Sequence, residues 1–221
     1  MIWPDDYVNK IIHGDCLDVM KEMPDKCIDL VLTDIPYNIP RLPEQGLRKI
    51  NKDDANCLTF DLEILLFQLN RVCTGTFYIF CDWSQVSLIR QFFKKENISD
   101  RYIIWEKTNP SPMNGQYLWL SGIEVCCYGK KPKGAFCGYC RNTVLRHPSG
   151  NSHFHPTEKP LDLFIDLVRT SSDEGQLVFD PFLGSGTTAE ACKLLHRDFI
   201  GIEINPDYCK IAEERLAQGV L

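Results

Sequence analysis

The chain has 221 residues, 44% of them apolar and 24% charged, with a net charge of −6. That length and balance exclude a disordered, fibrous or disulfide-stapled miniature protein, and fit one large domain whose core needs no cross-links. No apolar run approaches the ~18 residues of a membrane span, and the start, Met1-Ile-Trp-Pro-Asp-Asp6, has no basic-then-apolar leader, so a cytoplasmic protein is expected.

Apolar runs alternate with helical spacing from end to end. Residues 8–13 read as a strand and 16–22 as a helix. Residues 28–33, IDLVLT, are almost continuously apolar, as in a strand buried on both faces. Residues 36–56 are polar, hold three prolines and one glycine, and read as a long loop, mobile at about 38–56. A helix is predicted over 58–72, a strand over 76–81 and a helix over 84–95. Strands at 101–105 and 123–128 flank a Pro/Gly/Asn loop. Residues 130–151 look irregular. An amphipathic helix follows at 161–170, with Thr157 as its cap before Pro160. The rest alternates strand 176–180, helix 186–196, strand 198–203 and helix 206–218. Seven strands alternating with helices predict a mainly parallel sheet covered on both faces.

Eleven cysteines are an odd number, and most lie in apolar runs, so buried free thiols are expected. Charge is uneven. Residues 130–160 sum to +5, which leaves −11 for the remainder, and residues 40–52 sum to +3. Basic patches on an acidic body are the footprint of a polyanion partner, or else solvated loops. Cys137-Gly-Tyr-Cys140 with His153 and His155 imitates half a zinc finger, but His-x-His is too tight for its other half, and no metal is assigned.

The strongest local signal is Leu177-Val-Phe-Asp-Pro-Phe-Leu-Gly-Ser-Gly-Thr-Thr-Ala189. A strand ends in Asp180, and a turn with Gly184 and Gly186 opens a helix whose free N–H groups face any bound anion. Glu203 ends the next strand, 23 residues on, where an acid can hold a ribose. The turn has neither the three-glycine dinucleotide pattern nor a Gly-Lys-Ser/Thr phosphate loop. It suits a nucleoside with a small charged tail, such as S-adenosylmethionine (SAM), against the plain alternative of a glycine-capped strand-turn-helix.

The second signal is Val31-Leu-Thr-Asp-Ile-Pro-Tyr-Asn38. An exocyclic base amine is a poor nucleophile because its lone pair is delocalised into the ring. Two acceptors holding its hydrogens localise that pair, and Asp34 with the Ile35 carbonyl supply them. Pro36 stiffens the corner, and Tyr37 offers a face on which a base can stack. The plain alternative is a strand-end turn with a solvated aspartate.

Asp34-Ile-Pro-Tyr37, His155-Pro-Thr-Glu-Lys-Pro160 and Phe179-Asp-Pro-Phe-Leu-Gly-Ser-Gly-Thr187 resemble the signature motifs of β-group DNA amino-methyltransferases, in which the catalytic motif precedes the cofactor loop. Ile12-His-Gly-Asp-Cys-Leu17, Trp105-Glu-Lys-Thr-Asn109 and Glu124 are similar to further family segments. The resemblance spans about residues 8–218. It implies a circularly permuted, Rossmann-like class I methyltransferase domain over 1–221, with a small target-recognition insert at about 129–154. The permutation predicts that strand 8–13 pairs beside the strand of Glu203, placing Asp15, Asp34, Asp180 and Glu203 at carboxyl ends of strands.

The resemblance implies SAM as cofactor and double-stranded DNA as substrate, with direct methyl transfer to the N6 of a flipped-out adenine. Asp34, Ile35, Pro36 and Tyr37 would be catalytic. Phe182, Gly184, Gly186 and Thr187 would line the methionine part of SAM near Asp180. Glu203 would bind the ribose, Asp15 and Cys16 the adenine, and Thr157 and Lys159 the carboxylate. Arg41, Arg48, Lys49, Lys130, Lys131, Lys133, Arg141, Asn142 and Arg146, together with His147, are the DNA-binding candidates. A homodimer and a cognate restriction endonuclease are expected partners. Cytosine N4 is the neighbouring alternative, and a silent SAM- or DNA-binding regulator the more distant one. The family usually has Pro-Pro in the corner. Ile35 keeps the carbonyl and loses the ring that fixes φ.

Overall fold

The computed structural model describes residues 1–37, 61–112, 115–150 and 158–218. The predicted loop 38–56, with Arg41, Arg48 and Lys49, lies outside the described residues, as do His153, His155 and Thr157. Eight strands are present among them: β1 (Lys10–His13), β2 (Ile28–Asp34), β3 (Cys73–Cys81), β4 (Ser99–Lys107), β5 (Ile123–Lys130), β6 (Val144–His147), β7 (Leu177–Asp180) and β8 (Asp198–Glu203). The helices are α1 (Cys16–Glu22), α2 (Leu62–Val72), α3 (Val86–Lys95), α4 (Leu161–Ser171), α5 (Thr187–Leu194) and α6 (Pro206–Ala217).

The strands form one sheet in the order β1-β8-β7-β2-β3-β5-β4-β6, and only β5 runs antiparallel to its neighbours. β1 pairs parallel with β8, Ile11 opposite Gly201 and His13 opposite Glu203, so the permuted connection expected from the sequence is present. Alternate strand residues point to opposite faces. Phe77, Ile79 and Val125 meet α1, α2 and α3 through Met20, Leu65 and Ile89 on one face. Tyr78, Phe80 and Cys126 meet α4, α5 and α6 through Leu163, Ala189 and Ala212 on the other.

Among the described residues the strands number eight, not seven. The added strand is β6, inside the segment expected to be irregular, and it pairs with β4 from Ile104 opposite Val144 to Lys107 opposite His147. Four residues in a polar, Arg-rich context carry too little apolar signal to be read locally, and the edge of β4 supplies their order. A second correction concerns the start of α4. Pro160 itself is the N-cap and offers no side-chain bond, whereas Asp61 caps α2 through the amides of Glu63 and Ile64. The ten described cysteines are all free thiols. No helix among the described residues is long and apolar enough to cross a membrane.

Candidate active site

Because β1, β8, β7 and β2 are consecutive parallel strands, their carboxyl ends line up. Asp15 follows β1, Glu203 ends β8, Asp180 ends β7 and Asp34 ends β2. Four acids separated in sequence thus form one row along one sheet end.

The Asp34 corner is held by its neighbours. The Ile35 amide donates to the Phe80 carbonyl at 3.1 Å. A proline at 35 would forfeit that bond, so the isoleucine suits this ladder. The Pro36 carbonyl accepts from Gln85 Nε2 at 3.0 Å, while Gln85 Oε1 accepts the Asp82 amide at 2.8 Å. Gln85 is buried and ties the corner to the start of α3. Nothing local to its sequence marks it.

Around Asp34 lies a neutral cluster of two acids and two lysines. Lys159 Nζ is 2.5 Å from Asp34 Oδ2 and 3.0 Å from Glu124 Oε2. Lys107 Nζ is 2.7 Å from Glu124 Oε1. The Tyr37 hydroxyl donates to Glu124 Oε2 at 3.3 Å and accepts from Lys159 at 3.4 Å. Burial pushes the Asp34 carboxyl above its ordinary value, and the Lys159 ammonium opposes that push. Glu124 is half-buried, and Lys159 and Lys107 outweigh that burial and hold it below the ordinary value. Burial works to lower Lys159, and the two carboxylates raise it above the ordinary lysine value. Asp34 Oδ1 is buried without a hydrogen-bond partner, although the nearby Tyr37 hydroxyl favours the charged carboxylate. An unfilled carboxylate acceptor beside an aromatic ring is what a base amine requires.

The glycine turn is the second half of the site. Asp180 Oδ1 accepts the Phe182 amide at 3.1 Å, and Oδ2 accepts the Thr188 hydroxyl at 2.5 Å, so Asp180 shapes the turn. Burial pushes its carboxyl up to about 6. Glu203 Oε2 accepts the Gly184 amide at 2.9 Å, and Oε1 accepts the Asn205 amide at 2.8 Å. Burial raises the Glu203 carboxyl, the Asn205, Gly184 and Ile204 amides oppose that push, and a carboxylate with about four acceptor sites retains capacity for a ligand hydroxyl. Asp15 caps α1 through the Leu17 amide, and burial pushes the adjoining Cys16 thiol up to about 12. Thr187 is buried, and Phe182 is half-buried against the core.

Gly184 has φ +56°, and a Cβ there meets nothing within 4 Å; Gly186 caps α5 at φ +90°. A turn with free space over Gly184, beside acids on β8 and β7, fits a nucleoside with a charged tail. Gly184→Ala is therefore expected to weaken SAM binding at least about tenfold, with only about 1–2 kcal/mol of left-handed strain. Calorimetric titration and a denaturation curve check the two halves, and unchanged SAM affinity would refute the assignment.

Arg215 is a residue the sequence did not single out. It sits on α6, ion-pairs with Glu158 and Glu190, and donates to the Thr187 hydroxyl at 3.2 Å. It braces the segment carrying Lys159 against the glycine turn. The predicted DNA-binding residues divide by position. Arg146 pairs with Glu106 at the Asp34 end of the sheet. Lys130 lies opposite Thr76 and Ser99 at the other end, where it lines a cleft of about 430 Å³ with Arg141 and Asn142. Lys131 there donates to the Asn70 and Cys73 carbonyls, both at 2.7 Å. Arg141 is bound to Asp166, and Asn142 Oδ1 accepts the Val144 amide. Lys133 is exposed two residues further on.

A family model for N6/N4 methyltransferases, described as "DNA methylase", matches residues 129–214. The Type II methyltransferase M.HinfI of Haemophilus influenzae is 28% identical over 96% of this chain and 69% of its own length. M.HpaI of Haemophilus parainfluenzae, likewise named a Type II methyltransferase, is 29% identical over 94% and 74%. The crystal structure of an M1.HpyAVI–SAM complex is 28% identical with a TM-score of 0.74, covering 93% of this chain and 98% of that one. The PvuII DNA methyltransferase, described as cytosine-N4-specific, shares the fold at 16% identity and TM-score 0.72, over 93% and 85%.

Proposed function

We propose that this chain, a SAM-dependent DNA amino-methyltransferase, transfers its methyl group to the exocyclic N6 of adenine within a specific site. The observation that carries this is the buried Oδ1 of Asp34, left without a hydrogen-bond partner near Tyr37. In our reading, Asp34 Oδ1 and the Ile35 carbonyl accept the two amine hydrogens and localise the nitrogen lone pair. Tyr37 stacks on the extruded base, while Pro36, fixed by Gln85, holds the corner. In the family that these motifs resemble, an acid at the first corner position goes with adenine and a serine with cytosine, so Asp34 favours adenine.

SAM supplies an electrophilic methyl group. Glu203 would hold its ribose, Asp15 and Cys16 its adenine, and the backbone of Phe182–Thr187, shaped by Asp180, its methionine part. Thr157 and Lys159 would approach its carboxylate, Lys159 from a position already shared by Asp34 and Glu124. With SAM bound, the amine nitrogen would take the methyl group in line as the carbon–sulfur bond breaks and S-adenosylhomocysteine leaves, and the amine proton would pass to Asp34, whose raised affinity for protons suits it to the task. No enzyme nucleophile is needed, so none of the cysteines is assigned one.

DNA approach is assigned to the Asp34 end of the sheet through Arg146; Arg41, Arg48 and Lys49, which lie outside the described residues, are further candidates on charge alone. Lys130, Lys131, Lys133, Arg141 and Asn142 would contact DNA only where it reaches past β6. The reading further includes a homodimer, which adds recognition surface to the short insert at about 129–154, and an endonuclease that shares the target site. The test is mass spectrometry of nucleosides from unmethylated plasmid incubated with the protein and SAM. N6-methyladenine is expected. N4-methylcytosine would reassign the base, and no methylated nucleoside despite SAM binding would refute the reading.

A further inference from the structure

Between β4 and β5, residues 108–122 carry no charged side chain. The feet of this loop are fixed. The Lys107 amide donates to the Gly122 carbonyl at 2.8 Å, and Thr108 to the His147 carbonyl at 3.3 Å. Asn109 Oδ1 accepts the Ser149 amide at 2.6 Å, and Asn109 Nδ2 donates to the Ser149 carbonyl at 3.3 Å. The tip is apolar and open to water. Tyr117, Leu118 and Trp119 are 79%, 70% and 100% exposed.

The loop rises from Lys107 and returns near Glu124, the ion pair that holds the Asp34 cluster. It therefore stands at the reacting end of the sheet. A loop without charge offers phosphates no ion pair, and what its exposed tip presents is aromatic and apolar surface, suited to stacking or apolar contact with bases. Extruding a base leaves an empty step in the duplex, and an indole on a rigid stem beside that step fills it and keeps the base from returning.

On the reading above, we infer that Trp119 is a wedge that enters the duplex at the step vacated by the target adenine. Its neighbours Tyr117 and Leu118 cover the flanking base edges. The wedge acts on the pairing state of the target, which separates it from a residue serving only affinity or folding.

The test compares the parent and Trp119→Ala on two synthetic duplexes bearing the mapped target site. In one the target adenine is paired, and in the other its partner nucleotide is abasic. The variant is expected to lose about 10- to 100-fold in methylation rate on the paired duplex and less than about threefold on the unpaired one, the range one base–aromatic stack is worth. With 2-aminopurine in place of the target, the fluorescence rise on binding should fall below about a third of the parent's, because fewer bases stay extruded. Equal losses on both duplexes, or none on either, would overturn the inference. A fall in the sedimentation coefficient of the free variant would overturn it as well, by making the tip a contact between copies. If the parent methylates neither duplex, it is the proposed function that fails.

Discussion

Asp34→Asn is expected to lower methyl transfer by about a thousandfold while leaving SAM affinity within about threefold of the parent. The substitution keeps the shape of the side chain and isolates its charge. Lys159 Nζ, 2.5 Å from Oδ2, demands an acceptor, so the amide oxygen must turn towards the ammonium. The amide nitrogen then occupies the place of Oδ1, the atom now buried with no hydrogen-bond partner. A donor would meet the hydrogens of the target amine where an acceptor is required. Asp34→Ala removes the acceptor altogether and should lose about as much. Single-turnover rates with SAM calorimetry on the same preparations check both. An Asp34→Asn enzyme keeping more than about a tenth of parental turnover would mean the lone pair is localised elsewhere. The parental rate should also fall as pH drops, because burial raises the Asp34 carboxyl and protonation fills the acceptor.

Much of this site is legible in the chain because each acid terminates an apolar run. Asp34 ends IDLVLTD, Asp180 ends LVFD and Glu203 ends DFIGIE, and parallel strands carry such terminal acids to one edge. The pairing of β1 with β8 followed from a sheet that otherwise lacked a second neighbour for β8 beside β7. The contacts that hold the site are not legible. Lys159 and Asp34 are 125 residues apart, and only the sheet order sets them side by side. Glu124 stood out by resemblance, yet its link to Lys107 and Tyr37 depends on β5 returning antiparallel between β3 and β4. Arg215 looks like any basic residue in the last turn of a helix, and only packing of α6 on α5 makes it the brace of two acids. Local pattern thus carries the acids that end strands, while long-range ion pairing decides their chemistry.

Lys159 makes that dependence measurable. Lys159→Met keeps the length and apolar stem of the side chain and removes a buried charge shared by two carboxylates. Asp34 and Glu124 are left with Lys107 alone, and breaking a buried pair in this way costs about 3–5 kcal/mol, or roughly 10 °C in Tm near pH 8. The sign of the pH effect follows from Asp34. Its folded value already lies above the ordinary 3.8 because of burial, and losing the lysine raises it further. At Asp34 the folded state then binds more protons than the unfolded one, so this group's contribution to stability is greatest below 3.8 and is lost as pH rises through its folded value. The deficit of Lys159→Met should therefore shrink on acidification, and its pH–rate profile should move to higher pH, since Asp34 must ionise to accept the amine. A variant with parental stability and an unmoved profile would show that Lys107 alone neutralises the pair. A variant that loses only SAM affinity would place Lys159 on the cofactor carboxylate rather than on Asp34. The two roles separate because the first follows the proton on Asp34 and the second does not.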